Sequence, residues 1–598
     1  MTSLTDSPDL PQWNLADLYA GPDAPELDKD LDRARALCQK FADLYKGKLG
    51  DIDGETLGRA IAEYEVLSEI LYKVMSYGQL LFAADTANAD TGRFLQTLRE
   101  KITDISTTTL FFQLELNRLD DATLARQMES PAAAHFAPWV RDVRAFRDHE
   151  LSDDLERLLH EKAVSGRGSW VRLFDETQSA LRFPVDGEEL TMSDVLNLMS
   201  DTDAATRKKA AKSLGGVLND NIRLFTLITN TLAKDKATED AWRKYPRPIS
   251  ERNLGNQVED AVVDALSSSV VAAYPKLSHR YYKLKARWFG VDALDYWDRN
   301  APLPDDNDRT YSWDDARATV LNAYGRFDPQ MAGIAADFFD KRWIDAELRP
   351  GKDSGAFSHS TVPSAHPYIL MNFHGKARDV MTLAHELGHG VHQVLAGPQG
   401  TLMADTPLTT AETASVFGEM LTFRSLLDGE DDPNRRRILL AGKVEDMLNT
   451  VVRQIAFHEF ETRVHGERAT GELSSERLGD IWMDVQRESL GDGIRLDDDY
   501  RAFWAYIPHF VHSPFYVYAY AFGDCLVNSL YDLFAGGHAD FQAKYFDVLK
   551  AGGTKRHKEL LAPFGLDASD PDFWNRGLNM ISGFIDELEE HEKGGISK

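Results

Sequence analysis

The stretch Leu383–Gln393, LAHELGHGVHQ, carries three histidines and one glutamate within eight residues. It lies inside a longer run, KARDVMTLAHELGHGVHQVLA, that meets no breaker until Gly397-Pro398. The run predicts a helix over 377–396. On that helix His385 and His389 stand one turn apart on one face. Two imidazoles so placed reach one zinc ion at about 2.0–2.1 Å. Glu386, the next residue, is poorly placed to share the ion and well placed to act on a water there. This is the HExxH pattern of zinc hydrolases. The pattern arises by chance in roughly 4% of chains of this length and composition, so the neighbouring residues have to decide. VMTLA before the motif and VHQVL after it make the helix largely apolar. Burying His, Glu and His there without partners costs a few kcal/mol for each group, and a shared ion satisfies both imidazoles.

Two histidines leave a tetrahedral site one protein ligand short. A third histidine in the form HExxHxxGxxH requires glycine at 392 and histidine at 395. His392 and Leu395 stand there, so that scheme fails. His392 lies a turn further along and is expected to meet substrate or solvent. The alternative takes a glutamate from TPLTTAETASVFGEMLTF, Thr406–Phe423. Thr409 or Thr410 is expected to cap a helix carrying Glu412, Ser415 and Glu419. Glu412 and Glu419 are seven apart and share a face. The reading assigns Glu412 as third ligand and Glu419 as the acceptor that orients a ligand histidine.

Outward from this segment the helical period dominates. Leu67, Ile70, Val74, Tyr77 and Leu81 form one apolar stripe of a long helix. Strand signals are few: HPYILMNF (His366–Phe373), and a small hairpin in ALRFPVDGEEL with an Asp186-Gly187 turn. The fold class is mainly α-helical with a small β-sheet beside the zinc helix. At 598 residues the chain exceeds one ordinary core, and the turn-rich segment 184–188 suggests a boundary, giving 1–195 and 196–598. The net charge of −29 disfavours nucleic acid as a partner. No apolar run is long enough for a membrane span. Two distant cysteines, Cys38 and Cys525, and an N-terminus unlike a signal peptide suit a cytoplasmic protein.

Ile507–Asp524, IPHFVHSPFYVYAYAFGD, places His509, His512, Tyr516, Tyr518 and Tyr520 within twelve residues. Peptide hydrolysis passes through a tetrahedral oxyanion, and donors aimed at it contribute about 3–4 kcal/mol each. Tyrosine O–H and histidine N–H are suitable donors. Tyr516 and Tyr520 share a face if the segment is helical, while Tyr518 is better explained by packing.

Three segments, GAFSHSTVPSAHPYILMNFHGKARDVMTLAHELGHGVH, ETASVFGEM and PHFVHSPFYVYAYAFG, together with the opening WNLADLY, resemble the oligoendopeptidase F branch of the thimet oligopeptidase-like zinc metallopeptidases. The resemblance spans most of the chain in consistent order. It implies two helical parts enclosing a deep substrate channel that admits short oligopeptides, and one zinc per chain. It matches His385, His389 and Glu412 to the ligands and Glu386 to the general base. It makes 366–373 the edge strand that pairs with an extended peptide, with Gly355, Ala356 and Phe357 nearby. It also places a histidine and tyrosines over the scissile carbonyl: His509 and Tyr520, with Tyr516 close behind, and His512 competing for the histidine role. The alternatives are a zinc carboxypeptidase of related helical fold, for which no carboxylate-binding arginine stands out, and a non-catalytic helical peptide-binding scaffold. A structural zinc favours four ligands and cysteine, and neither cysteine is near the motif. Cleavage preference and oligomeric state are left open by these residues.

Overall fold

A computed structural model describes residues 10–163, 165–304 and 310–595. Some 70% of the chain is helix and 3% strand, which settles the mainly α-helical class. The helices gather into two compact units that interleave along the sequence. The first comprises Met1–Arg147, Asp308–Gly429 and Leu533–Leu566; the second comprises Asp148–Asn307, Glu430–Asp532 and Asp567–Lys598. Each unit thus takes residues from both sides of position 195. Packing units follow contacts, and contacts here join segments far apart in the chain.

In the first unit the long helix Gly54–Ala84 starts at Asp53, whose carboxylate accepts the Thr56 amide. Leu67, Ile70, Val74 and Tyr77 are buried as the period requires, and the stripe closes on Leu80 rather than Leu81. The histidine-bearing segment forms the helix Ala377–Ala396, with the bounds expected from its sequence. Its entry is fixed by Asp379, whose carboxylate accepts the amides of His374 at 2.8 Å and Lys376 at 3.0 Å. Val380, Leu383, Ala384, Leu387 and Val391 bury its apolar face. Beneath it the helix Trp313–Phe327 supplies Tyr324, whose buried hydroxyl donates to the Ala384 carbonyl at 2.5 Å.

Beside this helix lies a three-stranded sheet. Tyr368–Leu370 occupies its centre, parallel to Ile344–Asp345 and antiparallel to Phe357–His359. The strand read from HPYILMNF exists, but it is not an edge. Both its flanks are paired and its three side chains are fully buried, so it has no free backbone face to offer a peptide. Phe357–His359 is an edge strand.

The second unit holds the hairpin Phe183–Val185 with Glu188–Leu190. Asp186 (φ 51°) and Gly187 (φ 88°) both adopt the left-handed conformation that a two-residue Asp-Gly turn demands. The same unit contains the helix Val452–Arg468, the short helix His509–His512, and the start of the helix Tyr518–Ala535. Among the described residues no helix is long and apolar enough to cross a membrane.

Candidate metal centre and the aromatic cluster

The helical rise alone puts His385 and His389 on one face, and their rings meet at 4.9 Å between centroids. A third group arrives from the segment after Pro407. The cap expected at Thr409 or Thr410 is absent. Pro407 precedes a single turn, Leu408–Ala411, Glu412 sits at its end, and a second helix runs over Ser415–Asp428. Thr410 and Thr413 spend their hydroxyls on local carbonyls, Pro407 and Thr410 respectively. This break turns the Glu412 carboxylate toward the histidines. Its Oε2 lies 3.4 Å from His385 Nε2 and 3.5 Å from His389 Nε2.

The structure holds three ligand atoms, one each from His385, His389 and Glu412, all within 4.8 Å of one another. Ligands at 2.0–2.1 Å around a tetrahedral zinc stand about 3.3–3.4 Å apart, close to the spacing found. The donor set, two imidazoles and one carboxylate, is that of catalytic zinc sites with an open position. The side chains are 27%, 21% and 28% exposed respectively, so the ligand edges face a recess that solvent reaches.

The electrostatics also fit a cation. Burial works against charge on His385, yet its hydrogen bond to Glu419 and the carboxylates of Glu412 and Glu386 prevail and hold its imidazole up to about 9. His389 goes the other way: burial, with the charge on His385, pushes it down to about 4. Burial resists ionisation of Glu412, but the two histidines and the Ser415 hydroxyl hold its carboxyl below the usual range. The three carboxylates Glu386, Glu412 and Glu419 thus favour positive charge at this place. A divalent ion fills the same need and frees both imidazoles as ligands.

Around the three groups stand their supports. Glu419 Oε2 lies 3.3 Å from His385 Nδ1. Ser415 donates to Glu412 Oε2 at 2.6 Å. Glu386 is buried, and burial first, then the Glu412 charge, push its carboxyl up to about 7 against the opposing pull of His385. It accepts the backbone N–H of Ser358 on the edge strand. Gln393, seven residues further along the helix, fastens the same strand: Ser358 Oγ donates to its Oε1 at 2.9 Å and its Nε2 donates to the Ser358 carbonyl at 3.2 Å. Sequence reasoning placed Ser415 beside Glu412 without a role and missed Ser358, Gln393 and Tyr324. Of the four, only two had a signal: Ser415 at three residues from Glu412, and Gln393 at seven from Glu386. His392 corrects another expectation. It is 3% exposed, its Nε2 lies 3.4 Å from Thr406 Oγ1, and burial pushes it down to about 4. It does not face solvent; it lies in the wall of a cavity that His389 also lines.

The aromatic cluster sits in the second unit. His509 Nε2 lies 3.2 Å from the Tyr520 hydroxyl, and the Tyr516 and Tyr520 rings meet edge-on at 5.3 Å. Tyr516 is not helical. It follows Phe515, whose φ is +59°, and precedes the helix start at Tyr518, so the ring contact comes from the turn. His512 points away from this group and pairs with Asp175 at 2.7 Å. Tyr518 is fully buried and bonded to Asn256 at 2.8 Å.

The sequence matches the profile of peptidase family M3 over residues 197–580 and that described as oligopeptidase F over 115–183. It is 27% identical to oligopeptidase PepF of Bacillus subtilis over 97% of this chain and 87% of that one. It is 25% identical to an oligoendopeptidase F homolog of Lactococcus lactis subsp. lactis over 98% of each. The fold is shared with the crystal structure of a peptidase candidate from Chlamydophila abortus, TM-score 0.87 and 22% identity over 97% of this chain and 98% of that one. It is also shared with oligoendopeptidase-F from Enterococcus faecium, TM-score 0.71 and 22% identity over 95% and 99%.

Proposed function

The chain belongs to peptidase family M3 and is a metallopeptidase of the oligoendopeptidase type, and from that premise we propose that it uses zinc to hydrolyse internal bonds of short oligopeptides. The observation that carries the reading is the His385, His389 and Glu412 triangle with Glu386 beside it. His385 Nε2, His389 Nε2 and the Glu412 carboxylate would hold one zinc per chain. When bound, the ion would supply Lewis-acid polarisation of the scissile carbonyl and acidify water at the site.

The remaining steps belong to the chain's own groups. Glu386 takes the proton as water attacks the carbonyl carbon, then returns it to the leaving amine. Burial makes that carboxyl readier to hold a proton than an exposed glutamate. The Ser358 amide keeps that carboxylate in place from the edge strand. Glu419 holds the proton of His385 on Nδ1, which leaves the Nε2 lone pair for the ion. His509 and Tyr520, with Tyr516, are the proposed donors to the carbonyl oxygen, supported by their chemistry and by their contacts within their own unit.

Along the chain the proposed modules are 1–195 and 196–598, supported by profile matches that end at 183 and begin at 197. The proposed compartment is the cytoplasm, supported by two free, buried cysteines, Cys38 and Cys525.

The test compares wild type with Glu386→Gln by zinc content and by mass spectrometry of a mixed-length peptide digest. One zinc per chain in both, with internal cuts in short peptides by wild type alone, is the expected result. Near wild-type turnover by Glu386→Gln refutes the mechanism, and single-residue loss from C-termini moves the assignment to a carboxypeptidase.

A further inference from the structure

A cavity of about 820 Å3 opens beside the metal centre, within the first unit, and His389 forms part of its wall. One side is the helix Gly54–Ala84, which presents Tyr72, Met75, Ser76 and Gln79 on a single face. The opposite side is the segment that leads into Glu412, including Asp405 and Thr406. The two sides are fastened to each other. Glu65 accepts the Leu402 amide and Glu69 the Thr401 hydroxyl, each at 3.2 Å.

The charge in this cavity is one-sided. Among the described residues no lysine or arginine lines it, and its carboxylates are Asp337 and Asp405. Asp337 is matched by Lys341 at 2.9 Å. The lining histidine His366 is matched by Asp17 at 3.0 Å, and His359 is bonded to the Ser76 hydroxyl at 2.9 Å. Asp405 forms no ion pair among the described residues. Its side chain is open to the cavity, yet the enclosing protein desolvates it and pushes its carboxyl up, with no cation pulling it back. Tyr72, whose hydroxyl feels the Asp405 charge, leaves its ring 53% exposed on the same cavity. A carboxylate without a counter-charge next to an open aromatic ring is a recognition pair for an ammonium or guanidinium group.

We infer that this cavity receives a lysine or arginine side chain of the peptide substrate, with Asp405 as its counter-charge and Tyr72 as its aromatic wall. The inference rests on the peptidase reading and adds a substrate preference to it. The cavity adjoins a ligand histidine, so the residue it takes lies near the scissile bond. The preference is set by one side chain.

The test uses the zinc-loaded full chain and one peptide scaffold. At each position flanking the scissile bond, arginine, lysine, norleucine and glutamate are substituted in turn, and kcat/KM is measured with cut sites read by mass spectrometry. Cleavage of the norleucine peptides reports on hydrolysis itself; the arginine-to-norleucine ratio reports on the cavity. At one position wild type is expected to favour arginine and lysine over norleucine by about tenfold, the scale of a charge-assisted contact. Asp405→Asn is expected to bring that ratio toward one, and Asp405→Lys to invert the order in favour of glutamate. A wild type with no position favouring cations, or a preference that survives both substitutions, overturns the inference.

Discussion

Gly388 lies in the middle of the HExxH motif, between the two histidines, and replacing it with alanine tests how the proposed third ligand is brought in. A Cβ at this position would stand 2.6 Å from Ser415 Cα and 2.8 Å from the Ala414 carbonyl carbon, and closer still to the Ala414 oxygen. Two carbons prefer about 3.5–4.0 Å, so the 414–415 backbone would have to retreat by about 1 Å. That backbone begins the helix Ser415–Asp428, where the Gly418 amide donates to Ala414 at 2.9 Å. It also follows Glu412 by two residues and supplies the Ser415 hydroxyl that holds the Glu412 carboxylate. A retreat of about 1 Å is half a zinc–oxygen bond of about 2.0–2.2 Å, enough to take Glu412 out of the coordination sphere. Two effects on stability oppose each other. Alanine in a helix interior gains about 0.8–1.0 kcal/mol over glycine, while overpacking costs about 1–3 kcal/mol. The fold is therefore expected to survive with a modest loss. Zinc affinity is expected to fall by at least about 100-fold, the upper end of what losing a mere supporting partner costs. A chelator-competition titration measures the affinity, and thermal melts with and without zinc measure the stability. Gly442→Ala serves as the control, since Gly442 is exposed in the helix Pro433–Thr450 with nothing within 4 Å of its added carbon. If Gly388→Ala binds zinc within about threefold of wild type by the same titration, the close approach at this glycine is not what places Glu412.

Three further outcomes are expected. Glu419→Ala removes the carboxylate beside His385 Nδ1 and should weaken zinc binding by about 10–100-fold; an unchanged chelator titration would contradict its orienting role. His509→Ala should lower kcat by about 10²–10³ with a smaller effect on KM, whereas His512→Ala, which breaks only a half-exposed pair with Asp175, should stay close to wild type; equal losses would count against choosing His509. Glu461 is buried in the second unit, where it accepts the Phe515 amide at 2.8 Å, and desolvation pushes its carboxyl up to about 8. Between its ordinary value and 8 the folded chain holds a proton that the unfolded chain releases, so this group costs stability as pH rises, by up to about 1.4 kcal/mol per pH unit. Glu461→Gln should thus raise the denaturation midpoint more at pH 8 than at pH 5.5, and a gain independent of pH would show that Glu461 is not protonated in the fold.

Much of the local structure was legible because it depends on short-range periodicity. The bounds of Ala377–Ala396 follow from an unbroken apolar period ending at Gly397-Pro398, and the pairing of His385 with His389 follows from helical rise alone. The hairpin at 183–190 follows from an Asp-Gly pair, since few other residues adopt two consecutive left-handed conformations. The seven-residue spacing of Glu412 and Glu419 also predicted that both reach the histidines. It did so although the helix between them is broken, ending at Ala411 and resuming at Ser415.

What the sequence determined by itself is therefore the identity of the chemical groups and their order along each helix. Those depend on side-chain type and on backbone periods only a few residues long. The tertiary structure decided which of those groups meet. It put Glu412 within 3.4 Å of His385 through a glycine contact that no period announces. It buried His392 by packing it against Thr406. It put Phe357–His359 at an edge by pairing Tyr368–Leu370 on both sides, and hydrophobicity cannot tell a central strand from an edge one when both are short. It also gathered each packing unit from three separated segments. Such choices are made by contacts between residues tens to hundreds of positions apart, where steric fit and burial set the outcome and local sequence carries no record of the partner.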